Sequence, residues 1–282
     1  MIKIENIIEF KNVSYQKPSS KYILKNINLN IKKGEFISIM GTNGSGKSTL
    51  AKHFNGLFIP SEGNVIIDGK NTKNGEKNTE IKKSVGMVFQ NPDSQIVACT
   101  VEEEIAFGME NLCFTHEKMK KNIRKVLHYV NLENHEKSSI YSLSGGEKQR
   151  LTIASVLAME PEIIVLDEPT SMLDDQSKKQ ILDIILKLNK EKNITIILIT
   201  HFTQEALYAD KTAIMNNGSI VAFDITKNIF SNINLLKKNK LLPLESICLL
   251  NFLKNKGYNV DLNAYSNESC AKEILRTLEN IK

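Results

Sequence analysis

Gly41-Thr42-Asn43-Gly44-Ser45-Gly46-Lys47-Ser48 spells the G-x-x-x-x-G-K-[ST] pattern in full. An apolar run, Phe36-Ile37-Ser38-Ile39-Met40, stands before it, and residues 48–55 read as a helix after it. Strand, glycine loop and helix in that order are the setting a phosphate-binding loop needs. The glycines let the backbone bend so that several N–H groups converge on one anion. The helix adds the positive end of its dipole. Lys47 is placed to reach the β- and γ-phosphates, and the Ser48 hydroxyl to hold Mg²⁺. A bland glycine turn before an ordinary helix leaves the Lys-Ser pair unexplained. Residues Gly41, Thr42, Asn43, Gly44, Ser45, Gly46, Lys47, Ser48 and Thr49 are therefore the expected nucleotide cradle.

Working outward, residues 7–13 and 23–31 read as strands. In the second, Ile27, Leu29 and Ile31 alternate with Asn26, Asn28 and Asn30, the period of a half-buried antiparallel strand. Strands are also expected at 65–67 and 85–89, and the polar stretch 71–78 reads as a loop. From 101 to 142 the pattern turns helical, with Ile123, Val126, Leu127 and Val130 at helical spacing. The apolar strands 163–166 and 194–199 alternate with helices at 176–188 and 203–208, which indicates a parallel sheet. Two short strands, 211–215 and 219–223, flank the Asn217-Gly218 turn. Beyond Phe230 two helix faces are expected, one of Leu249, Leu250, Phe252 and Leu253, the other of Ala271, Ile274, Leu275, Leu278 and Ile281.

The 282 residues are 41% hydrophobic and 24% charged, ordinary for a globular protein. No segment approaches the roughly 20 apolar residues needed to cross a bilayer. The first six residues mix charge and apolar side chains too early for a signal peptide, so the chain is expected in the cytosol, meeting a membrane only through a partner. The net charge of +5 comes from scattered lysines without a dense basic block, which does not call for nucleic acid. Cys99, Cys113, Cys248 and Cys270 form no C-x-x-C pair and are expected as buried or half-buried free thiols.

Three further stretches carry chemistry. Ile163-Ile164-Val165-Leu166-Asp167-Glu168 is a buried strand that delivers two acids to its C-terminal end, where parallel sheets bind ligands. Asp167 is expected to hold Mg²⁺ through its water shell, and Glu168 to polarise the attacking water. Ile199-Thr200-His201 follows a neighbouring parallel strand, so His201 should emerge beside the same site. His53, His116, His128 and His135 have no such placement and read as surface or packing residues. Leu143-Ser144-Gly145-Gly146-Glu147-Lys148-Gln149 is a second glycine-bearing, capped helix start. One chain thus offers two phosphate-receiving helix ends and one lysine-bearing loop. The second end is accounted for if it serves a nucleotide held by another subunit.

In this order the motifs resemble the ATP-binding subunits of ABC transporters, over about residues 5–235. The resemblance implies an α/β P-loop ATPase core with an antiparallel β subdomain, a helical insertion at about 99–142 and a C-terminal helical extension at 236–282. It implies two subunits, copies or paralogues, paired head to tail, with ATP between one phosphate loop and the other's Ser144, Gly145, Gly146 and Glu147. Gln90 would touch Mg²⁺ and the attacking water, residues Ser171-Met172-Leu173-Asp174 would cross the dimer seam, and His201 would meet the γ-phosphate. Gln90-Asn91-Pro92-Asp93-Ser94-Gln95 and the extension resemble the energy-coupling factor branch, the cobalt and vitamin importers. That branch implies a transmembrane coupling protein, a substrate-binding membrane subunit, a place on the cytoplasmic face of a bacterial membrane, and an extension that helps pair the ATPases. Other transporter branches and soluble ABC ATPases are the alternatives. Three positions depart from the family. Lys17 stands where an adenine-stacking aromatic is common, leaving Tyr15 as the candidate base contact; Glu147 replaces a common glutamine, and Met172 a small residue.

Overall fold

The computed structural model describes residues 6–18 and 21–279; the readings that fall on residues 1–5 and on Ile281 lie outside them. In chain order the elements begin β1 (Asn6–Gln16), β2 (Tyr22–Lys32), β3 (Phe36–Gly41), α1 (Lys47–Phe54), β4 (Glu62–Ile67), β5 (Lys70–Asn71), α2 (Asn78–Ser84) and β6 (Val85–Val88). Next come α3 (Val101–Asn111), α4 (His116–Tyr129), α5 (Gly145–Ala158), β7 (Ile163–Asp167), α6 (Asp175–Lys192), β8 (Thr195–Ile199), α7 (Thr203–Ala206), β9 (Lys211–Asn216) and β10 (Ser219–Ile225). The chain closes with α8 (Thr226–Ser231), α9 (Ile233–Lys238), α10 (Glu245–Asn255) and α11 (Asn267–Glu279).

Two sheets form, one in the order β2-β1-β4-β5 and one in the order β10-β9-β3-β8-β7-β6. The first is antiparallel; in the second, β9, β3, β8, β7 and β6 run parallel and β10 returns antiparallel. Successive residues of a strand point to opposite faces, so a strand apolar throughout needs cover on both. Ile163 and Val165 of β7 and Ile197 and Ile199 of β8 face a cluster shared with α1 and with β1 and β2. Ile164, Leu166, Ile196 and Leu198 face a second cluster formed with α3 to α6. The alternation in β2 is met too: Ile27, Leu29 and Ile31 are buried while Asn28 and Asn30 are exposed. Asn217 and Gly218, at φ 48 and 83, make the tight left-handed turn between β9 and β10.

Where structure and sequence reading differ, the cause is local. The stretch read as a loop at 71–78 holds a 3₁₀ turn, Gly75–Lys77, and the start of α2. That helix buries Ile81 alone, so no periodicity announces it. In the tail, α8 and α9 were too short to show a period. Leu250 is buried, but Leu249 and Phe252, expected on its face, are exposed, as are Leu275 and Leu278 on α11. The thiols differ as well: Cys270 is buried, whereas Cys99, Cys113 and Cys248 are exposed. Phe230, Leu236, Leu241, Leu244 and Ile247 pack in one cluster with Met40 and Ile214, so the apolar core runs from the ATPase sheet into the extension without a gap.

Candidate active site

The parallel strands β3, β8, β7 and β6 end along one edge. Each delivers a loop there: the phosphate loop after β3, His201 after β8, Asp167 and Glu168 at the end of β7, and Gln90 after β6. Buried strands fix these loops within hydrogen-bonding reach of one another. In the phosphate loop Gly44 and Gly46 take φ values of 79° and 103°, which a side chain rarely tolerates. A Cβ on Gly41 would stand 2.5 Å from the Met215 carbonyl oxygen.

Lys47 is buried, and its Nζ donates to the carbonyls of Gly41 (2.8 Å) and Thr42 (3.2 Å). It lies 3.5 Å from Glu168 Oε1. The ammonium is thus held by two carbonyls of its own loop with a carboxylate close by. Ser45 Oγ is buried without a hydrogen-bond partner, an orphan donor inside the loop, which suits a loop that receives an anion. Ser48 Oγ donates to Asp167 Oδ1 at 3.2 Å, the pair expected to hold a divalent cation. Burial pushes the Asp167 carboxyl above the usual range; the Ser48 hydroxyl opposes this, Glu168 adds to it, and Lys47 counters it. A cation at this place would restore the charged form.

Glu168 sits at φ 50, a strained value for a residue with a Cβ. Its N–H donates to the Ile199 carbonyl (2.9 Å), its own carbonyl accepts from Ser171 Oγ (3.1 Å), and Oε2 lies 3.2 Å from His201 Nδ1. Gln90 Nε2 donates to Ser171 Oγ at 3.1 Å. Gln90, Ser171, Glu168 and His201 therefore form one chain of contacts. Glu205 was missed from sequence. It is buried on α7 and accepts from Thr170 Oγ1 and Thr200 Oγ1, both at 2.5 Å, so it ties the Glu168 loop to the His201 loop. Nothing in the sequence marks it, because the two hydroxyls it joins are 30 residues apart (Thr170 to Thr200).

Ser144, Gly145, Gly146 and Glu147 lie elsewhere, at the tip of α5. Ser144 caps the helix, and Glu147 Oε2 accepts from both the N–H and the Oγ of Ser144 at 2.8 Å. The Ser144 N–H, then its hydroxyl, hold the Glu147 carboxyl below its ordinary value. Asp174 caps α6, accepting from Ser177 N (2.9 Å) and Oγ (2.7 Å), and the N–H of Ser177 leads in lowering its carboxyl. Met172 is two-thirds exposed beside it. The helix tip is linked to the Gln90 loop through Lys148 Nζ to Asp93 Oδ1 (2.8 Å) and Gln149 Nε2 to the Phe89 carbonyl (3.3 Å).

Tyr15 does not project freely. Its ring stacks on Phe58 at 5.2 Å and meets His53 edge-on at 4.8 Å. His53 is fully buried, with Nδ1 donating to the Thr49 carbonyl (2.8 Å) and Nε2 lacking a partner. Burial lowers its pKa from 6.5, against that backbone bond. Because the folded ring resists a proton that the unfolded ring accepts, stability falls as pH drops from about 6.5 through the lowered value. Substituting His53→Phe should flatten that part of the slope. Melting temperatures of both proteins across pH 5–8 check this, and parallel slopes would rule it out.

A family profile described as ABC transporter matches residues 24–171. The chain belongs to the ABC transporter ATPase family. Among curated relatives, the energy-coupling factor transporter ATP-binding protein EcfA1 of Clostridium novyi is 45% identical over 260 residues, covering 91% of this chain and 93% of that one. EcfA of Methanocaldococcus jannaschii is 42% identical over 258 residues, with 91% and 92% covered. Among solved structures, cbiO1 from Clostridium perfringens, described as part of the ABC transporter complex cbiONQ, matches at TM-score 0.76 and 33% identity, covering 83% of this chain and 94% of that one. The dimeric ATP-binding cassette MJ0796, in a post-hydrolysis state with ADP and Pi, matches at TM-score 0.69 and 33% identity, with 78% and 98% covered.

Proposed function

We propose that this ABC ATPase binds ATP with Mg²⁺ and hydrolyses it as one of two ATPase subunits of an energy-coupling factor importer, at the cytoplasmic face of a bacterial membrane. The observation that carries the reading is the meeting of Lys47, Ser48, Asp167, Glu168 and His201 at one strand edge. Lys47 exchanges its carbonyl partners for the β- and γ-phosphates. Glu168 accepts the proton of the attacking water, and His201, already beside it, donates toward the γ-phosphate. Ser48 and Asp167, with Gln90 alongside, would hold Mg²⁺, which neutralises charge on the phosphate oxygens. Ser144 and the glycines after it serve a nucleotide held by a second ATPase, a copy or a paralogue, paired head to tail. Contact with that nucleotide redirects the Ser144 hydroxyl from Glu147 to phosphate. Asp174 and Met172 lie at the seam. The γ-phosphate is then the ligand that biases closed against open.

Contact with the membrane runs through a groove of about 1160 Å³ lined by residues 97–99, α3, α4 and the stretch from Asn134 to Lys137. Val97 and Phe107 in its lining are 64% and 51% exposed, apolar anchors for a helix of a transmembrane coupling protein. The coupling protein in turn carries a substrate-binding membrane subunit. The exposed Leu249, Phe252, Leu275 and Leu278 support residues 236–282 as an element that holds two ATPases together. Among the described residues no helix is long and apolar enough to cross a membrane. Native mass spectrometry of the complex purified from detergent-solubilised membranes should find two ATPases with at least one membrane protein. Phe107→Glu should strip the membrane protein and leave the ATPase pair. A chain that runs alone, or with partners of another transporter type, would remove the energy-coupling factor reading.

A further inference from the structure

Tyr141 is 86% exposed, more than any other large hydrophobic residue among those described. Exposure on that scale is not slackness of the backbone. The residue lies in a 3₁₀ turn, Ile140–Ser142, with buried Ile140 and Leu143 on either side. The N–H of Ile140 donates to the Cys99 carbonyl (3.0 Å), that of Leu143 to the Ile140 carbonyl (3.2 Å), and Ser142 Oγ to the Ser139 carbonyl (2.7 Å). The turn is pinned and the ring is held outward, three residues before Ser144. Three residues span at most about 10 Å, so the ring projects close to the helix tip assigned to the other subunit's phosphates.

A nucleotide gripped by its phosphates still presents a base at the far end of the ribose. The chain's own candidates for that base are poor. Lys17, just past the end of β1, is not aromatic, and one face of the Tyr15 ring is already taken by Phe58. Aromatic rings make good base platforms because every base offers a π face. We infer that Tyr141 is the base platform, acting in trans: its ring stacks on the base of the nucleotide held by the opposing phosphate loop. The inference rests on the head-to-tail pairing proposed above. It makes base recognition a property of the closed dimer, so nucleotide binding and closure reinforce each other.

The test uses the purified membrane complex. Tyr141→Ala should raise KM for ATP on the order of 10-fold, the worth of one base–aromatic stack, with kcat changed little. Tyr141→Phe should behave as wild type, and the preference for ATP over UTP should narrow in the alanine variant only. The chain contains no tryptophan, so Tyr141→Trp adds a reporter whose emission is isolated by subtracting the wild-type complex. That emission should change with ATP–Mg²⁺ and stay unchanged with inorganic tripolyphosphate. A wild-type KM and base preference in Tyr141→Ala would overturn the platform. Ser144→Arg separates the two claims. If it abolishes turnover while Tyr141→Ala behaves as wild type, only the platform fails. If it turns over normally, the pairing fails and takes the platform with it.

Discussion

Glu168→Gln slows ATP hydrolysis by about 10²–10⁴-fold, the span of a lost general base, and leaves ATP bound. The substitution keeps the side chain's shape. An amide at this place still reaches His201, and the backbone bonds to Ile199 and Ser171 are untouched. What disappears is the negative charge beside Lys47 and the capacity to accept a proton from water. Nucleotide affinity should hold or rise, because a carboxylate that repels the γ-phosphate is gone. The checks are steady-state phosphate release from the assembled complex and retention of radiolabelled ATP. Turnover within a few-fold of wild type would remove Glu168 from the role. The φ of 50 at Glu168 adds a reason to expect function there: a left-handed residue with a side chain costs roughly 1–3 kcal/mol, and the surrounding bonds hold it so.

Lys47→Ala acts earlier, on binding. Hydrogen bonds to charged groups contribute about 1.5–3 kcal/mol each, and Lys47 is placed to make two to phosphate. Losing both raises the Kd for ATP on the order of 10²–10⁴-fold. The buried ammonium is already desolvated and oriented by the carbonyls of Gly41 and Thr42, so the nucleotide gains its charge with little further cost of ordering. Alanine also leaves those two carbonyls without their donor, and the loop loosens. Calorimetric titration with ATP–Mg²⁺ measures the effect. Affinity within a few-fold of wild type would count against the phosphate-loop assignment.

The readable parts of the chain share one property: their signal is local and periodic. The phosphate loop, the apolar strands at β7 and β8, the alternation in β2 and the capped start of α5 could be named from consecutive residues. The missed parts are those in which few residues report. Helix α2 carries one buried isoleucine, α8 and α9 are barely longer than a turn, and the faces of α10 and α11 are divided between packing and exposure. The site follows the same rule. Asp167, Glu168 and His201 were legible because a buried strand predicts where its end emerges. Glu205 was not, because its meaning lies in two hydroxyls from different loops.

From sequence alone, then, came the chemistry of the chain: a glycine loop with its lysine, acids at a strand end and a second helix tip, each dictated by spacing along the backbone. Only the tertiary structure decided which groups meet. It joined Gln90 to Glu168 through Ser171, packed Tyr15 against Phe58 and His53, and left Tyr141 bare beside the helix tip. Contact between distant segments depends on sheet order and side-chain packing, and neither is written in any short window of residues.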